Sequence, residues 1–224
     1  MLDHMRFGRI ATPEGMTFAV IDDAGTTAKA IKGTPFSAPE YTGKEYDLDQ
    51  VRLLAPTLPS KIVAVGRNYA DHVAEVFKQS AEHLPPTIFI KPSTAVIGPG
   101  AAIKIPEFAT GVEFEGELAL VVGVPCKNVK AEDWKSVIRG VTIINDVSSR
   151  DLQFADGQWA RAKGMDTFGP LGPWIETDLD KFDFANLPIK AHHTHDGKTE
   201  TKQDSNSNQM IKSVGEMVEW VSQS

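Results

Sequence analysis

The sequence has one cysteine, no long apolar run and no excess of basic residues. The lone Cys126 excludes a disulfide within the chain, and the residues after Met1 lack the apolar region of a secretory signal. The apolar runs are far shorter than the roughly twenty residues that span a bilayer. We therefore predict a cytoplasmic protein that does not enter a membrane.

The charge balance and two missing motifs exclude further classes. The chain has 30 acidic and 23 basic side chains, a formal net charge of -7 and a pI of about 5.4. No lysine- and arginine-rich stretch offsets this charge, so a phosphate backbone would be repelled and we predict no nucleic-acid partner. The glycines and the Gly-Lys-Ser/Thr ending of a phosphate loop are missing at Gly66-Arg67-Asn68, and the Gly-x-Ser-x-Gly motif of a serine hydrolase is absent.

A change in sequence pattern near residue 58 indicates two domains. Before it, short β-like segments alternate with turn signals such as Asp22-Asp23-Ala24-Gly25. After it, Pro59 and Ser60 precede an apolar strand that begins at Lys61. We predict a small β-rich N-terminal domain at residues 1–58 and a larger domain at residues 59–224.

The larger domain combines strands with short helices. Its pattern predicts strands at 61–65 and 87–92, short helices at 68–77, 131–139 and 211–221, a loop at 169–173 and a hairpin at 191–203 around Asp196-Gly197. Regular β-α-β alternation is missing. The predicted fold class is therefore mixed α/β, mostly antiparallel β.

Three glutamates at alternate positions, Glu113, Glu115 and Glu117, run into an apolar stretch at 118–122. On a strand they would share one face. One interpretation is the wet face of an ordinary antiparallel strand. The other is a cation site, because carboxylates that enter buried surroundings need hydrogen bonds, cations or a metal.

A fourth acid favours the cation site. Asp146 ends the β-branched run Val141-Thr142-Ile143-Ile144-Asn145, and functional groups often lie where strands end. Two glutamates and one aspartate supply the hard oxygen ligands that suit Mg²⁺ or Mn²⁺.

Four other side chains are candidates for chemistry. His72 and Glu75 are three residues apart on a predicted helix, where they can form a hydrogen-bonded acid/base pair or simply a solvated surface pair. Lys163 can place positive charge beside a metal-bound anion or can be an ordinary surface lysine. Gln153 can be an ordinary polar residue. The histidines near 192–195 do not match zinc spacings, and we assign them no role.

Five segments, taken in their order along the chain, resemble the fumarylacetoacetate hydrolase family, including bacterial members similar to soluble oxaloacetate decarboxylases. The matching segments are KIVAVGRNYADHVAEV (61–76), IFIKPST (88–94), VEFEGELALVV (112–122), NDVSSRD (145–151) and QWARAKGMDTFGPLGPW (158–174). The resemblance implies a β-sandwich roll with short helices and a homodimer.

The same resemblance implies roles for individual residues. Mg²⁺ or Mn²⁺ would be held by Glu115, Glu117 and Asp146, with Glu113 outside the ligand set. Lys163 and Gln153 would contact the substrate. His72 and Glu75 match a His/Glu dyad on a lid helix.

The expected activity is divalent-metal-dependent cleavage of a C–C bond in a small 2-oxo acid through an enolate. The two reactions are oxaloacetate decarboxylation and acylpyruvate hydrolysis, in which His72 and Glu75 would activate a water. One alternative is isomerisation of 2-hydroxyhepta-2,4-diene-1,7-dioate in aromatic catabolism. Family members continue for about fifty residues beyond the helix at 211–221. An inactive metal-binding remnant is therefore a second alternative.

Overall fold

The computed structural model describes residues 4–70 and 86–224, which form short strands and shorter helices. The strands are β1 (Arg6–Thr12), β2 (Gly15–Ile21), β3 (Thr27–Lys32), β4 (Glu40–Asp47), β5 (Arg52–Leu54), β6 (Lys61–Gly66), β7 (Thr87–Pro92), β8 (Val96–Ile97), β9 (Val112–Glu113), β10 (Gly116–Val122), β11 (Ile138–Asn145), β12 (Ser148–Ser149), β13 (Gly169–Glu176), β14 (Pro188–His195) and β15 (Lys198–Asn206). The α-helices are α1 (Arg150–Asp156), α2 (Trp159–Lys163) and α3 (Val214–Ser222). Short 3₁₀ helices cover Ser93–Ala95, Ala131–Ser136, Leu179–Lys181 and Ser207–Gln209.

One large sheet organises the molecule. Its strand order is β10-β11-β13-β1-β2-β3-β4, with β5 on β1 and β8 on β13. The pairs β9–β12, β14–β15 and β6–β7 form three separate ribbons. All of these pairings are antiparallel except β8–β13. The predicted class of mixed α/β, mostly β, with short helices, is confirmed.

The N-terminal strands continue the sheet of the larger domain. β1 pairs with β2 on one side and with β13 on the other, so Arg6 lies opposite both Ile21 and Glu176. Phe7 and Ile175 are fully buried and pack together with Val121. This apolar cluster joins the two parts of the chain, since Phe7 comes from the N-terminal part and the other two residues come from the larger part. Burial of such side chains is the main favourable contribution to folding. The domain boundary near residue 58 stays a prediction.

Local turn and cap signals account for two predicted elements. The hairpin β14–β15 turns at Asp196 and Gly197, whose φ angles of 49° and 72° are those that a two-residue turn requires. The C-terminal helix α3 starts later than predicted, after Ser213. Ser213 and Glu216 form a capping box, which satisfies backbone N–H groups of the first turn.

One prediction for the larger domain is wrong, and another gives a helix that is too long. The segment 169–173 is the beginning of β13 rather than a loop. Its glycines and prolines fit because β13 pairs irregularly with β11, with a register shift where Gly172 faces Ile143. The short helix predicted at 131–139 is present as a 3₁₀ helix that ends at Ser136 and gives way to β11 at Ile138, whose apolar and β-branched residues pair with β10 and β13.

One predicted helix, at 68–77, lies mostly outside the described residues. Among the described residues, no helix combines the length and apolar character needed to cross a membrane.

The close packing of β11 against β13 gives a first prediction. A Cβ on Gly140 would lie 2.5 Å from the carbonyl oxygen of Glu176 and 2.6 Å from Cγ2 of Ile175. We expect Gly140→Ala to lower the free energy of unfolding by about 2 kcal/mol, because the strands must separate to admit the methyl group. Urea unfolding measures this change. Asp49→Ala, at an exposed turn, is the control, and equal stability of the two variants would contradict the packing.

Candidate active site

The acidic segment is not one continuous strand. β9 ends at Glu113 and β10 begins at Gly116, so the three glutamates do not lie on one uninterrupted strand, as their alternate spacing suggested. Glu115 lies in the break, where its N–H donates to Asn145 Oδ1 (3.1 Å) and its carbonyl accepts from the Asp146 N–H (2.8 Å). The break therefore brings Glu115 to Asp146 and leaves Glu113 exposed.

The ammonium group of Lys163 lies between these two acids. Its Nζ is 2.6 Å from Glu115 Oε2 and 2.9 Å from Asp146 Oδ2, and it donates to Ser148 Oγ at 2.6 Å. Lys163 ends helix α2 and is only 3% exposed. A buried ammonium requires such partners, because an unpaired charge in the interior is costly. Lys163 is thus not the surface lysine of the alternative interpretation.

Aromatic rings complete the surroundings of Lys163. Its Nζ lies 5.2 Å from the ring centroid of Phe89 and 5.8 Å from that of Trp159, and these two rings meet edge to face. The rings limit access of water and attract the cation through their π faces.

A second lysine, Lys91 on β7, holds the other side of Asp146. Lys91 is fully buried, and its Nζ donates to Asp146 Oδ1 at 2.6 Å and to the backbone carbonyl of Lys163. Burial lowers the pKa of Lys91, and the charge of Asp146 opposes that effect. Lys91 therefore ties the strand β7 both to the aspartate and to the backbone of the other lysine. We call Glu115, Glu117, Asp146, Lys91 and Lys163 the acid–lysine cluster.

Glu117 is the electrostatically unsatisfied member of this cluster. Burial, together with the charges of Glu115 and Asp146, raises the pKa of Glu117 to about 8. Within the described ranges, its carboxyl group has no hydrogen bond or ion pair. A cation at this position would offset the repulsion between the three carboxylates and lower the pKa of Glu117 again.

Arg150 links the cluster to Gln153. Its guanidinium contacts Glu115 Oε1 at 2.5 Å and Glu113 Oε2 at 2.7 Å, and it donates to Gln153 Oε1 at 2.8 Å. Burial by itself would raise the pKa of Glu115, yet the charges of Lys163 and Arg150 outweigh it and lower that pKa. Gln153, on α1, is buried and leaves its amide NH₂ group free of any hydrogen bond to the described residues.

The structure thus brings together most of the candidate residues. Glu115, Asp146 and Lys163 are in direct contact, Glu117 is coupled to them by charge, and Gln153 is connected through Arg150. His72 and Glu75 lie outside the described residues, so their roles stay predictions. The sequence interpretation did not assign Lys91, Ser148 or Arg150. A lysine inside the apolar strand segment IFIKP was a signal for Lys91, since a buried charge implies a partner.

The donor set has the chemistry of a divalent-cation site but not its closed arrangement. In the ranges 4–70 and 86–224, no three histidine, cysteine, aspartate or glutamate side chains converge closely enough to hold a metal. The Lys163 ammonium lies where Glu115 and Asp146 converge. The carboxylates are nevertheless the hard oxygen ligands that Mg²⁺ and Mn²⁺ prefer, so the residues fit such an ion by type. The assignment of Glu115, Glu117 and Asp146 as ligands stays a prediction.

Comparison with protein families places this cluster in context. The model of the fumarylacetoacetate (FAA) hydrolase C-terminal family matches residues 61–224, and the model named Rv2993c-like, N-terminal, matches residues 5–56. The crystal structure of Cg1458 with inhibitor is 70% identical, with a TM-score of 0.95, over 99% of this chain and 84% of that chain.

Two further similar proteins have names that describe a reaction. The crystal structure of 2-hydroxyhepta-2,4-diene-1,7-dioate isomerase from Mycobacterium marinum is 46% identical, with a TM-score of 0.84, over 98% of this chain and 81% of that chain. The mitochondrial oxaloacetate tautomerase Fahd2a of Rattus norvegicus is 40% identical over 78% of this chain and 54% of that protein. The chain thus spans about half the length of the tautomerase.

The buried Lys91 gives a prediction for stability. We expect Lys91→Met to lower the free energy of unfolding by about 3 kcal/mol, because it removes one partner of a buried ion pair and leaves Asp146 and a backbone carbonyl short of a donor. Urea unfolding at pH 7 measures the loss. The matched control is Lys190→Met, which breaks the exposed pair with Asp204. A loss no larger than that of the control would show that Lys91 does not hold the site.

The raised pKa of Glu117 gives a prediction for pH. Between pH 4.5 and about 8, the unfolded chain loses the Glu117 proton before the folded chain does, so the folded state loses stability as pH rises. Glu117→Gln lacks this titration. In EDTA, we expect it to be more stable than the unsubstituted chain by about 4 kcal/mol at pH 7.5, with the difference nearly vanishing at pH 4.5.

Urea unfolding at both pH values tests this expectation. Glu107→Gln is the control, because Glu107 is exposed. A stability difference that did not change with pH would contradict the raised pKa of Glu117.

Proposed function

Because this chain belongs to the fumarylacetoacetate hydrolase family, a family of enzymes that act on small molecules, we propose that it cleaves a C–C bond of a 2-oxo acid in a divalent-metal-dependent reaction through an enolate. The reactions to test first are oxaloacetate decarboxylation and acylpyruvate hydrolysis. The observation that carries the proposal is the buried Lys163 ammonium, held within 2.9 Å of Glu115 and Asp146.

The metal would be Mg²⁺ or Mn²⁺ on Glu115, Glu117 and Asp146. When bound, it would supply a Lewis acid that stabilises negative charge developing on the 2-oxo group of the substrate. The charge balance of the cluster supports this proposal. Glu117 carries a carboxyl group with a pKa of about 8 and no partner among the described residues, whereas Glu115 has two cationic partners.

Lys163 would then act on the substrate. A cation bound to Glu115 and Asp146 would compete with the ammonium for these two carboxylates and weaken the ion pairs that hold it. Released from Glu115 and Asp146, Nζ would donate a hydrogen bond to the enolate oxygen and stabilise its charge. The aromatic rings of Phe89 and Trp159 exclude water from this group and so strengthen the electrostatic effect.

Gln153 would orient the substrate beside Lys163. Its amide oxygen is occupied by Arg150, which leaves the NH₂ group to donate to a substrate carboxylate. The same arginine holds Glu115, so one guanidinium sets the position of both a proposed ligand and a proposed substrate contact.

The two reactions differ in the need for an acid/base pair. Decarboxylation of oxaloacetate releases CO₂ and leaves an enolate that takes up a proton from solvent. It requires no attacking water, so the proposed roles of the acid–lysine cluster and Gln153 do not need His72 and Glu75. Hydrolysis of an acylpyruvate requires activation of a water, the role we predict for His72 and Glu75.

A second candidate reaction is isomerisation of 2-hydroxyhepta-2,4-diene-1,7-dioate. The 46% identity with the isomerase structure of Mycobacterium marinum favours it. In this reaction the same enolate chemistry would move a proton instead of breaking a C–C bond. A tautomerase reaction on oxaloacetate, for which the rat relative is named, would also move a proton. Homodimer formation and a cytoplasmic location stay predictions.

A substrate panel with matched variants tests the proposal. We expect turnover of oxaloacetate, an acylpyruvate or the dienedioate in the presence of Mg²⁺ or Mn²⁺, lost on addition of EDTA. Glu115→Gln should lower kcat at least about 100-fold, since it removes a metal ligand. The control is Glu113→Gln, at the exposed residue two positions before Glu115. Its kcat should stay within about threefold of that of the unsubstituted chain. A coupled assay for pyruvate measures the decarboxylation and the hydrolysis. The change in absorbance of the dienedioate measures the isomerisation.

The outcomes separate the alternatives. Turnover of the dienedioate alone would favour the isomerase. Metal binding without turnover of any substrate would identify the inactive remnant. Turnover that Glu115→Gln leaves unchanged would refute the metal-dependent mechanism.

A further inference from the structure

Gly116, the residue between Glu115 and Glu117, is bound by a single distant side chain. Its N–H donates to Gln203 Oε1 and its carbonyl accepts from Gln203 Nε2, both at 2.8 Å. Gln203 lies on β15, which belongs to a separate ribbon from the sheet of β10. The amide side chain thus reproduces the paired hydrogen bonds of a β-ladder at the first residue of β10.

The packing around Gly116 supports a close, specific fit. A Cβ at this position would lie 3.3 Å from Gln203 Oε1 and 3.7 Å from the Cβ of Ala191, the residue opposite Gln203 in the hairpin. The hairpin also contacts the acidic segment through the rings of His193 and Phe114, 5.9 Å apart. The hairpin therefore contacts the segment on both sides of Glu115.

Such a contact matters because Glu115 and Glu117 repel each other. Glycine is the residue with the greatest backbone freedom, so Gly116 alone would let the two carboxylates turn apart. A glutamine can restrain this backbone without adding charge, because it donates and accepts at once. Neither a lysine nor a carboxylate could bind both backbone groups of Gly116 in this way.

We propose that Gln203 is a positioning residue that fixes the backbone at Gly116 and thereby sets the Glu115 and Glu117 carboxylates for divalent-cation binding. The inference rests on the proposed function, in which these glutamates are ligands. It assigns to the β14–β15 hairpin a supporting role in the site, which acts through the backbone of Gly116.

The test compares Gln203→Met with Gln209→Met. Methionine keeps the length of the side chain and removes both hydrogen bonds, and Gln209 is exposed on a 3₁₀ turn. In Gln203→Met, we expect the Gly116 amide to lose protection from hydrogen exchange. We also expect the Kd for Mg²⁺, measured by calorimetry on folded protein, to rise about tenfold, the size of effect that supporting contacts have on metal sites. Gln209→Met should leave both unchanged.

Activity adds a readout that a merely structural role would not change. At saturating Mg²⁺, Gln203→Met should recover kcat within about threefold, while the Mg²⁺ concentration for half-maximal activity rises with Kd. Should Gln203→Met fail to fold, Gly116→Ala provides a second test, because its Cβ, 3.3 Å from Gln203 Oε1, would press on the amide and strain both hydrogen bonds. In a variant that carries both substitutions, the two effects should not add.

Each outcome decides a different point. Suppose that Gln203→Met leaves the Gly116 amide unprotected but binds Mg²⁺ with a Kd within twofold of that of the unsubstituted chain. This result would overturn the inference and leave the proposed function intact. An unsubstituted chain that binds no Mg²⁺ would overturn the proposed function, and with it the positioning role, even if hydrogen exchange showed that Gln203 restrains Gly116.

Discussion

The carboxylate of Asp146 is shared by two buried ammonium groups, and the arrangement of the site depends on this interaction. Lys91 takes one oxygen and Lys163 the other, at 2.6 and 2.9 Å. Since a buried charge without a partner is costly, none of the three side chains can leave the cluster unless another charged group takes its place. Strand β7, the end of β11 and helix α2 are thereby held at one point, and Glu115 is drawn to the same point by Lys163.

The large sheet makes that point possible. β10 and β11 pair over most of their length and place Gly116 opposite Asn145, so the acidic segment and the residue before Asp146 meet at the end of the ladder. The β10–β11 pairing stops there, and β9 pairs with β12 in a separate ribbon. Glu115 lies between β9 and β10, outside both strands, so its side chain can turn towards the lysines. The end of regular pairing thus creates the site.

Much of the architecture follows from local sequence. Short apolar runs located β6 and β7, and Asp196-Gly197 located the hairpin turn, because these patterns act through neighbours along the chain. The family motifs contained each residue of the acid–lysine cluster, although only some of them received a role. Local sequence failed at 169–173, where pairing with strands far away in the chain turns a glycine- and proline-rich segment into part of a sheet.

The sequence by itself determined which chemical groups are available: hard carboxylate ligands, a lysine and a glutamine that belong to a recognisable family pattern. Only the tertiary structure decided how their charges are matched. It placed Lys91 against Asp146, Arg150 between Glu113 and Glu115, and Gln203 on a glycine 87 residues away. The physical reason is that an ion pair or a hydrogen bond depends on distance and burial in the folded molecule, and spacing along the chain specifies neither for residues so far apart.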